Sequence, residues 1–561
     1  MILMISRCVR SILIAAIACS GGNVALGFGF PQSELHGTVK DQAGASVKGA
    51  SVTLKAAGVT LHTVTNDEGQ FEFDGLAATN GTLLVTASGF TPLERQWSAG
   101  KHGSAADVDL VVTAAGVSQQ MTVTAARTEA RVNDTAGSVI VISETDLANT
   151  AALTLDDALR QVEGFSLFRR SGSRTANPTS QGVSLRGIGA SGASRALVLA
   201  DGIPLNDPFG GWVYWDRIPL QEIGRVEILQ GAGSSLYGTD AMGGVINILR
   251  RDPGESLFAV EASYGNEQTP YGSFSGGGRL GSWIGRIAGE AFHTDGYIIV
   301  DPSQRGRIDT PAASEHRALE VQLERVLSDR AQVFVRGSTF TEDRQNGTPL
   351  DPNRTHIRQL ETGGNFSSSL AGDFLVRAYG GTEVFDQRFA SVAADRNSAS
   401  LIRSQRVPAQ QIGLDAQWSR SIGSRHTAVA GLDARAVRGS SDELGISANK
   451  VISALGAGGR ERTVGFFGED IIRLAPSWLL TIGLRYDHWQ NYEALSTTRT
   501  FSVPGSVTVR SFPDRTESAW SPKLSVLHTV NDHLSLSASA YQAFRAPTLN
   551  ELYRSFRLGN I

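Results

Sequence analysis

Beyond residue 256 the chain alternates apolar residues with small or polar ones, and the alternating stretches come in pairs: 276–280 with 283–292, 318–326 with 331–340, 364–370 with 374–385, 410–418 with 426–437, 464–474 with 478–488, and 522–530 with 534–544. A period of two sends successive side chains to opposite faces of a strand, so each pair reads as a β-hairpin. Connections inside pairs are short (281–282, 327–330, 371–373, 419–425, 475–477, 531–533), whereas those between pairs are long and polar (294–316, 341–360, 386–407, 439–461, 489–519). A soluble sandwich or a large β-helix has no reason to lengthen its loops at one end only. A transmembrane β-barrel has one: its turns are tight on one side and long on the other, and its strands alternate a lipid face with a polar lumen face. Such a barrel must be antiparallel and closed, because hydrocarbon satisfies no backbone donor or acceptor. Trp283, Phe292, Phe340, Phe385, Trp478 and Trp489 fall near the expected strand ends, where aromatic girdles belong.

Composition narrows the rest. At roughly 150 residues per domain, 561 residues imply several parts. Lys and Arg number 51 against 55 Asp and Glu, a net charge of −4, which lacks the basic footprint of a nucleic-acid binder. After the first thirty residues no stretch approaches the ~20 consecutive apolar residues of a membrane helix.

Residues 1–27 read as a secretory signal: Arg7 and Arg10 form the charged region, 11–18 the apolar core, and Ala25-Leu26-Gly27 the cleavage site. Both cysteines, Cys8 and Cys19, lie inside it, so cleavage leaves no thiol and no Cys-based redox or metal chemistry. From 34 to 114, six short alternating stretches (35–39, 50–54, 61–65, 70–73, 82–87, 108–112) separated by turn signals predict a small β-sandwich. Its runs Gly37 to Leu54, Thr65 to Leu76 and Val85 to Phe90 resemble the carboxypeptidase regulatory-like domain, a module that is non-catalytic where it occurs. Residues 115–135 are small and polar, a linker holding one β-prone island, Met121-Thr122-Val123-Thr124-Ala125, suited to recognition by strand addition. Residues 136–252 mix strands (138–142, 182–186, 196–199, 225–229, 244–248) with helices beginning near Ser143 and Thr154, a small α+β unit.

That unit carries Leu185-Arg186-Gly187-Ile188, then 196–207 with Asp201-Gly202 at its turn, then 223–238 with Arg225, Glu227, Gly231, Tyr237 and Gly238, and then Gly243, Gly244 and Asn247. In order and spacing these resemble the plug domain of TonB-dependent outer-membrane receptors. Val123 to Arg127 falls where that family keeps its TonB box, which assigns Met121, Thr122, Val123, Thr124 and Ala125 to it. The run Phe544-Arg545-Ala546-Pro547-Thr548-Leu549-Asn550-Glu551-Leu552-Tyr553 is similar to a recurrent barrel motif of the same family, with Phe544, Arg545, Pro547, Asn550, Glu551 and Tyr553 as its marked positions. Glycines in the plug run allow tight turns and close backbone approach. Arg225 and Glu227, two apart on one strand face, are expected to form charge-assisted bonds at the plug and barrel wall. Gln230 stands where the family often has Arg.

The resemblance implies a mainly β protein of signal peptide (1–27), β-sandwich (34–114), linker with TonB box (115–135), plug (136–252) and part of a barrel of the 22-stranded class (256–561). About thirteen strands can be counted, and the chain stops at Leu558-Gly559-Asn560-Ile561 without a terminal aromatic strand, so a truncated barrel is expected. It further implies an outer-membrane importer with the sandwich in the periplasm, lipid around the barrel, and TonB with its inner-membrane energising complex as partner. A small metal-chelate or vitamin would be the ligand, a ferric siderophore first and cobalamin next. A passive porin-like channel, or a signalling or adhesion receptor on the same scaffold, are the alternatives.

No enzyme, cofactor, metal or nucleic-acid site is indicated. Gly187 to Gly192 matches G-x-G-x-x-G, but a strand rather than a helix is expected after it. Gly231 to Gly238 lacks the Lys-Ser/Thr of a phosphate loop, and neither HExxH nor GxSxG occurs. His356, expected in a long loop, could touch a metal-bearing ligand.

Overall fold

The computed structural model describes residues 33–41, 44–56, 59–76, 80–87, 93–98, 106–112, 122–123, 127, 130–131, 135–169, 171–189, 192–231, 233–254, 258–531 and 534–554. The expected signal segment, both cysteines, and Met121, Thr124 and Ala125 lie outside the described residues. The chain divides into two compact units, 1–120 and 121–561.

In the first unit, β1 (Ser33–Asp41), β4 (Gln70–Leu76) and β7 (Ala106–Val112) form one sheet. The other holds β2 (Ser51–Ala56), β3 (Val59–Val64), β5 (Asn80–Thr86) and β6 (Leu93–Ser98). Inward positions of the alternation, among them Leu35, Val52, Leu54, Phe71, Phe73, Leu83, Val85 and Leu110, close one core. β6 is a strand that the sequence pattern missed. Its two apolar residues, Leu93 and Trp97, stand four apart rather than two, and it lies at a sheet edge.

The second unit opens with β8 (Thr122–Val123) paired antiparallel to β9 (Ala130–Arg131). The plug follows. β10 (Ser138–Ser143) leads into α1 (Glu144–Asn149), which Ser143 and Asp146 start with a reciprocal capping box. α2 (Leu155–Leu159) begins at Thr154, whose side chain forms no capping bond. β11 (Ser166–Leu167) pairs with β12 (Val183–Ser184). β13 (Leu197–Ala200), β14 (Ile203–Pro204), β15 (Ile223–Gln230) and β16 (Gly244–Arg250) join β10 in a mixed sheet of order β10-β15-β16-β13-β14, and α3 (Ser234–Tyr237) sits between β15 and β16. After Gly187 the chain enters strand β13, so no helix follows the glycine run to hold a phosphate.

The remainder is one fourteen-stranded antiparallel sheet: β17 (Phe258–Gly265), β18 (Thr269–Leu280), β19 (Trp283–Thr294), β20 (Ser314–Ser328), β21 (Ala331–Gln345), β22 (Pro352–Ser368), β23 (Gly372–Val392), β24 (Ala399–Ile422), β25 (His426–Ser447), β26 (Lys450–Ala475), β27 (Trp478–Thr500), β28 (Val507–Ser511), β29 (Arg515–Asn531) and β30 (Leu534–Tyr541). Neighbours in sequence pair throughout, except that β28 folds back on β27, which pairs with β29. The six tight turns fall where the alternation placed them. Between pairs the strands run on through segments read as loops. β25 and β26 meet at Ala448 and Asn449, both left-handed (φ 47° and 60°), and only 346–351 and 393–398 separate the next longest pairs. In these extensions, as in 439–447, polar and small residues occupy both parities of the strand, so the alternation fades while backbone pairing continues. His356 accordingly lies within β22 on its exposed face, not in a loop.

Across the middle of the wall the usual burial order is inverted. On β20, Leu319, Val321 and Leu323 are each more than 40% exposed, while Glu320, Gln322 and Glu324 between them are buried. Apolar residues that face outward and charged residues that face inward suit a wall with hydrocarbon outside and a polar filling inside.

Candidate functional site

The filling is the plug, and its contact with the wall is where charge concentrates. One anchor is Arg127. Its Nη1 lies 2.7 Å from Asp415 Oδ2 and its Nη2 3.9 Å from Asp433 Oδ2. The guanidinium stacks 4.6 Å from the Tyr237 ring centre and 4.5 Å from that of Phe467, and the Gln417 amide donates to the Arg127 carbonyl. Burial pushes the Tyr237 phenol up to about 12, against the pull of Arg127.

Next to it, Arg485 is 1% exposed and makes charge-assisted bonds to Asp433 (2.7 and 2.9 Å) and Asp487 (2.6 and 2.9 Å), and a third contact to the Leu236 carbonyl at 3.1 Å. Gly238 ends α3 in a left-handed conformation, φ 72°, and a Cβ there would stand 2.6 Å from Arg485 Nη2. The positive φ favours glycine, and a Cβ would in addition have to displace the Arg485 guanidinium. A cavity of about 560 Å³, lined by Arg127, Asp201, Tyr237, Arg377 and Asp415, separates plug from wall at this level.

A second ionic contact centres on the Asp201-Gly202 turn between β13 and β14. Asp201 accepts from Arg250 (Nη1, 2.8 Å) and from Arg336 of the wall (2.9 Å), while Arg250 Nη2 reaches Glu320 at 2.7 Å and Arg336 reaches Glu361 at 2.8 Å. Burial opposes ionisation of Asp201, but Arg250 and Arg336 overcome it and hold the carboxyl below the usual range. Asn247 supports the turn by accepting from the Gly202 amide at 3.2 Å. A third contact joins plug Glu222 to wall Arg286 at 2.5 and 3.0 Å.

Toward the far strand ends the contact is aromatic. Phe209, Trp212 and Tyr214 of the plug pack with Phe340, Ile357, Phe385, Val407 and Val437 of the wall. This corrects the girdle assignment. Trp283 and Trp478 do face outward at the tight-turn end, but Phe292, Phe340, Phe385 and Trp489 point into the lumen. The plug makes part of the inner face apolar, so apolar residues occupy both parities of a strand.

The other expected positions fall in several places. Arg225 and Glu227 bond to each other at 2.8 Å, with Glu227 buried, as a pair inside the plug sheet. Arg186 and Gly187 form an exposed left-handed turn (φ 55° and 68°). Gly231 meets the wall closely, since a Cβ there would lie 2.6 Å from Tyr541 Oη, and Gly243 and Gly244 sit where the chain passes under Leu185. Gln230 caps the Glu163 carbonyl at 2.5 Å instead of forming an ion pair.

The Phe544 to Tyr553 run leaves the sheet. β30 ends at Tyr541, Pro547 offers no ladder donor, and the capping box of Thr548 and Glu551 starts α4 (Leu549–Tyr553). The run packs inward: Arg545 binds the Ser194 carbonyl at 3.1 Å and Glu551 at 2.8 Å, the Asn550 amide binds the Phe209 carbonyl at 3.0 Å, and Tyr553 Oη reaches Asn491 at 2.5 Å. Residues 542–544, expected to continue the strand, are therefore outside it.

A long, inside-out hairpin wall filled by an ion-paired α+β domain defines part of a plugged transmembrane β-barrel. The chain matches the TonB-dependent receptor plug domain over 131–245, the TonB-dependent receptor-like β-barrel over 300–560 and the carboxypeptidase regulatory-like domain over 34–133, and it belongs to the TonB-dependent receptors. It is 32% identical to the vitamin B12 transporter BtuB of Vibrio vulnificus over 32% of this chain and 29% of that protein. It is 36% identical to BtuB of Vibrio cholerae over 24% of this chain and 21% of that protein. Each match thus spans less than a third of the curated relative. Among solved structures, the ferric citrate transporter FecA superposes with a TM-score of 0.59 at 16% identity, over 75% of this chain and 65% of that one. The ferric yersiniabactin receptor FyuA of Yersinia pestis gives 0.59 at 16%, over 72% and 64%.

Proposed function

We propose that this protein is an outer-membrane importer without enzymatic activity, energised by TonB through Met121 to Ala125, with its 34–114 domain in the periplasm. Its ligand is a small metal chelate or vitamin, a ferric siderophore first and cobalamin next. The single observation that carries the reading is the seating of Arg127. Four residues after Val123 the chain is clasped between Asp415, Asp433, Tyr237 and Phe467. A partner that adds a strand at 121–125 and pulls therefore loads a buried ion pair that belongs jointly to plug and wall. Breaking that pair frees Asp415 and Asp433 next to Arg485 and so disturbs the support of Gly238 and α3. A passive channel would have no use for such a connection, and porins of this kind leave the lumen open.

Uptake of labelled ferric siderophore and labelled cobalamin by cells carrying Val123→Pro tests the reading, because proline removes a ladder donor. Loss of uptake with unchanged surface binding is the expected result. Uptake equal to the parent would sink the assigned box.

A further inference from the structure

A second cluster of buried charge lies apart from the Arg127 and Asp201 contacts. Asp216, in the short 3-10 turn Trp215–Arg217 of the plug, is 7% exposed, and its carboxylate lies 3.9 Å from His316 Nδ1. That separation exceeds hydrogen-bond length. Glu342 of β21 gives one oxygen to Arg344 at 2.5 Å, while its Oε2 is buried without a partner. His316 of β20 has its Nε2 2.9 Å from Glu290 Oε1, and its ring stacks on Phe292 with centres 5.0 Å apart. One donor atom each from Asp216, His316 and Glu342 falls within a 4.8 Å set.

These features are those of a metal-binding set. With His316 Nε2–H donating to the Glu290 carboxylate, the tautomer is fixed and Nδ1 keeps its lone pair on the side of Asp216; metal-bound histidines are held this way. Two ligands of one tetrahedral ion stand roughly 3.3–3.6 Å apart, so the ion would draw donor atoms now within 4.8 Å of one another together by up to roughly an ångström. Charge agrees. Asp216, Glu342, Glu290 and the fully buried Asp156 face one arginine, Arg344, and a histidine that is neutral when it ligates.

We propose that Asp216, His316 and Glu342 bind a divalent transition-metal ion of the zinc class, which ties the plug to the wall. One nitrogen and two carboxylate oxygens suit zinc better than calcium or magnesium, which prefer all-oxygen shells. The fourth position is left for water. The ion would add a plug-to-wall tie at the level of the aromatic contact, independent of whether the protein transports.

The test is zinc stoichiometry of the purified, EDTA-stripped full chain in detergent after dialysis against ZnCl2, together with visible absorption after loading with Co2+. One Zn2+ per chain and a tetrahedral Co2+ band are expected, with His316→Gln weakening binding by 100-fold or more. Should that variant misfold, Glu290→Gln, which removes only the orienting carboxylate, is expected to weaken binding about tenfold or more. His356→Ala, on the outer face, is expected to leave it unchanged. A parent chain that retains no zinc would mean that His316 is simply a protonated bridge between Asp216 and Glu290. Zinc bound equally by the parent and Glu290→Gln would place the ion elsewhere. Either result overturns the proposal.

Discussion

The plug meets the wall in two chemically different ways. Near the tight turns the contact is ionic: Arg127 and Arg485 with Asp415, Asp433 and Asp487, and Asp201 and Arg250 with Arg336, Glu320 and Glu361. Toward the far strand ends it is mainly aromatic, built from Phe209, Trp212 and Tyr214 against Phe340 and Phe385, with the Asp216, His316 and Glu342 cluster beside it. An apolar contact tolerates small displacements, because burial is non-directional. A buried ion pair does not: its gain depends on geometry, and losing one partner strands the other in a poorly solvating site. The ionic end, which also holds the polar cavity and the segment leading to the box, is thus the end at which a small pull has the largest consequence.

Four substitutions bear on that contrast. The largest expected effect is Arg485→Ala, which leaves Asp433 and Asp487 without their common partner and should destabilise the folded barrel by about 3–5 kcal/mol, read from the denaturant midpoint in detergent. Arg127→Gln removes both the cation held over the Tyr237 and Phe467 rings and the ionic bond to Asp415. It should cost about 1.5–3 kcal/mol and raise protease cleavage near 121–125 in cells without TonB. Phe385→Leu, at the apolar end, should cost only about 1–2 kcal/mol, and its effect should not change with salt. Arg354→Ala removes an exposed pair with Asp343 and should cost less than about 1 kcal/mol. A Phe385 effect larger than that of Arg485 would reverse the assignment of the sensitive end.

Much of the wall was legible because hairpin alternation is a local signal: the six tight turns and twelve of the fourteen strands lie on or across stretches that alternate in sequence. β17 was missed, and β28 was hidden in what read as a loop. The extent of the strands was not legible, since beyond the membrane pairing goes on without an apolar face, as in 439–447 and 450–461. Of the plug-motif residues, Asp201, Tyr237 and Gly238 lie against residues of the wall. Their partners Arg336, Arg377 and Arg485 were missed. On a strand each is one polar residue among many, and i, i+2 charge pairs such as Arg485 and Asp487 are the only hint.

By itself the sequence determined the class of structure: period-two patterning dictates strands, short turns dictate hairpins, and the order of glycines and aspartates carries the resemblance to the plug. Only the tertiary structure decided which parity of each strand faces inward. It alone brought Arg127, Asp216, Arg250 and Asp201 to carboxylates and guanidinium groups far away in sequence. The reason is that alternation is a property of neighbours, whereas the sign of a face and the partner of a charge depend on what fills the lumen. Here the filling is a domain that presents charged surface at one level and aromatic surface with a buried carboxylate at the other.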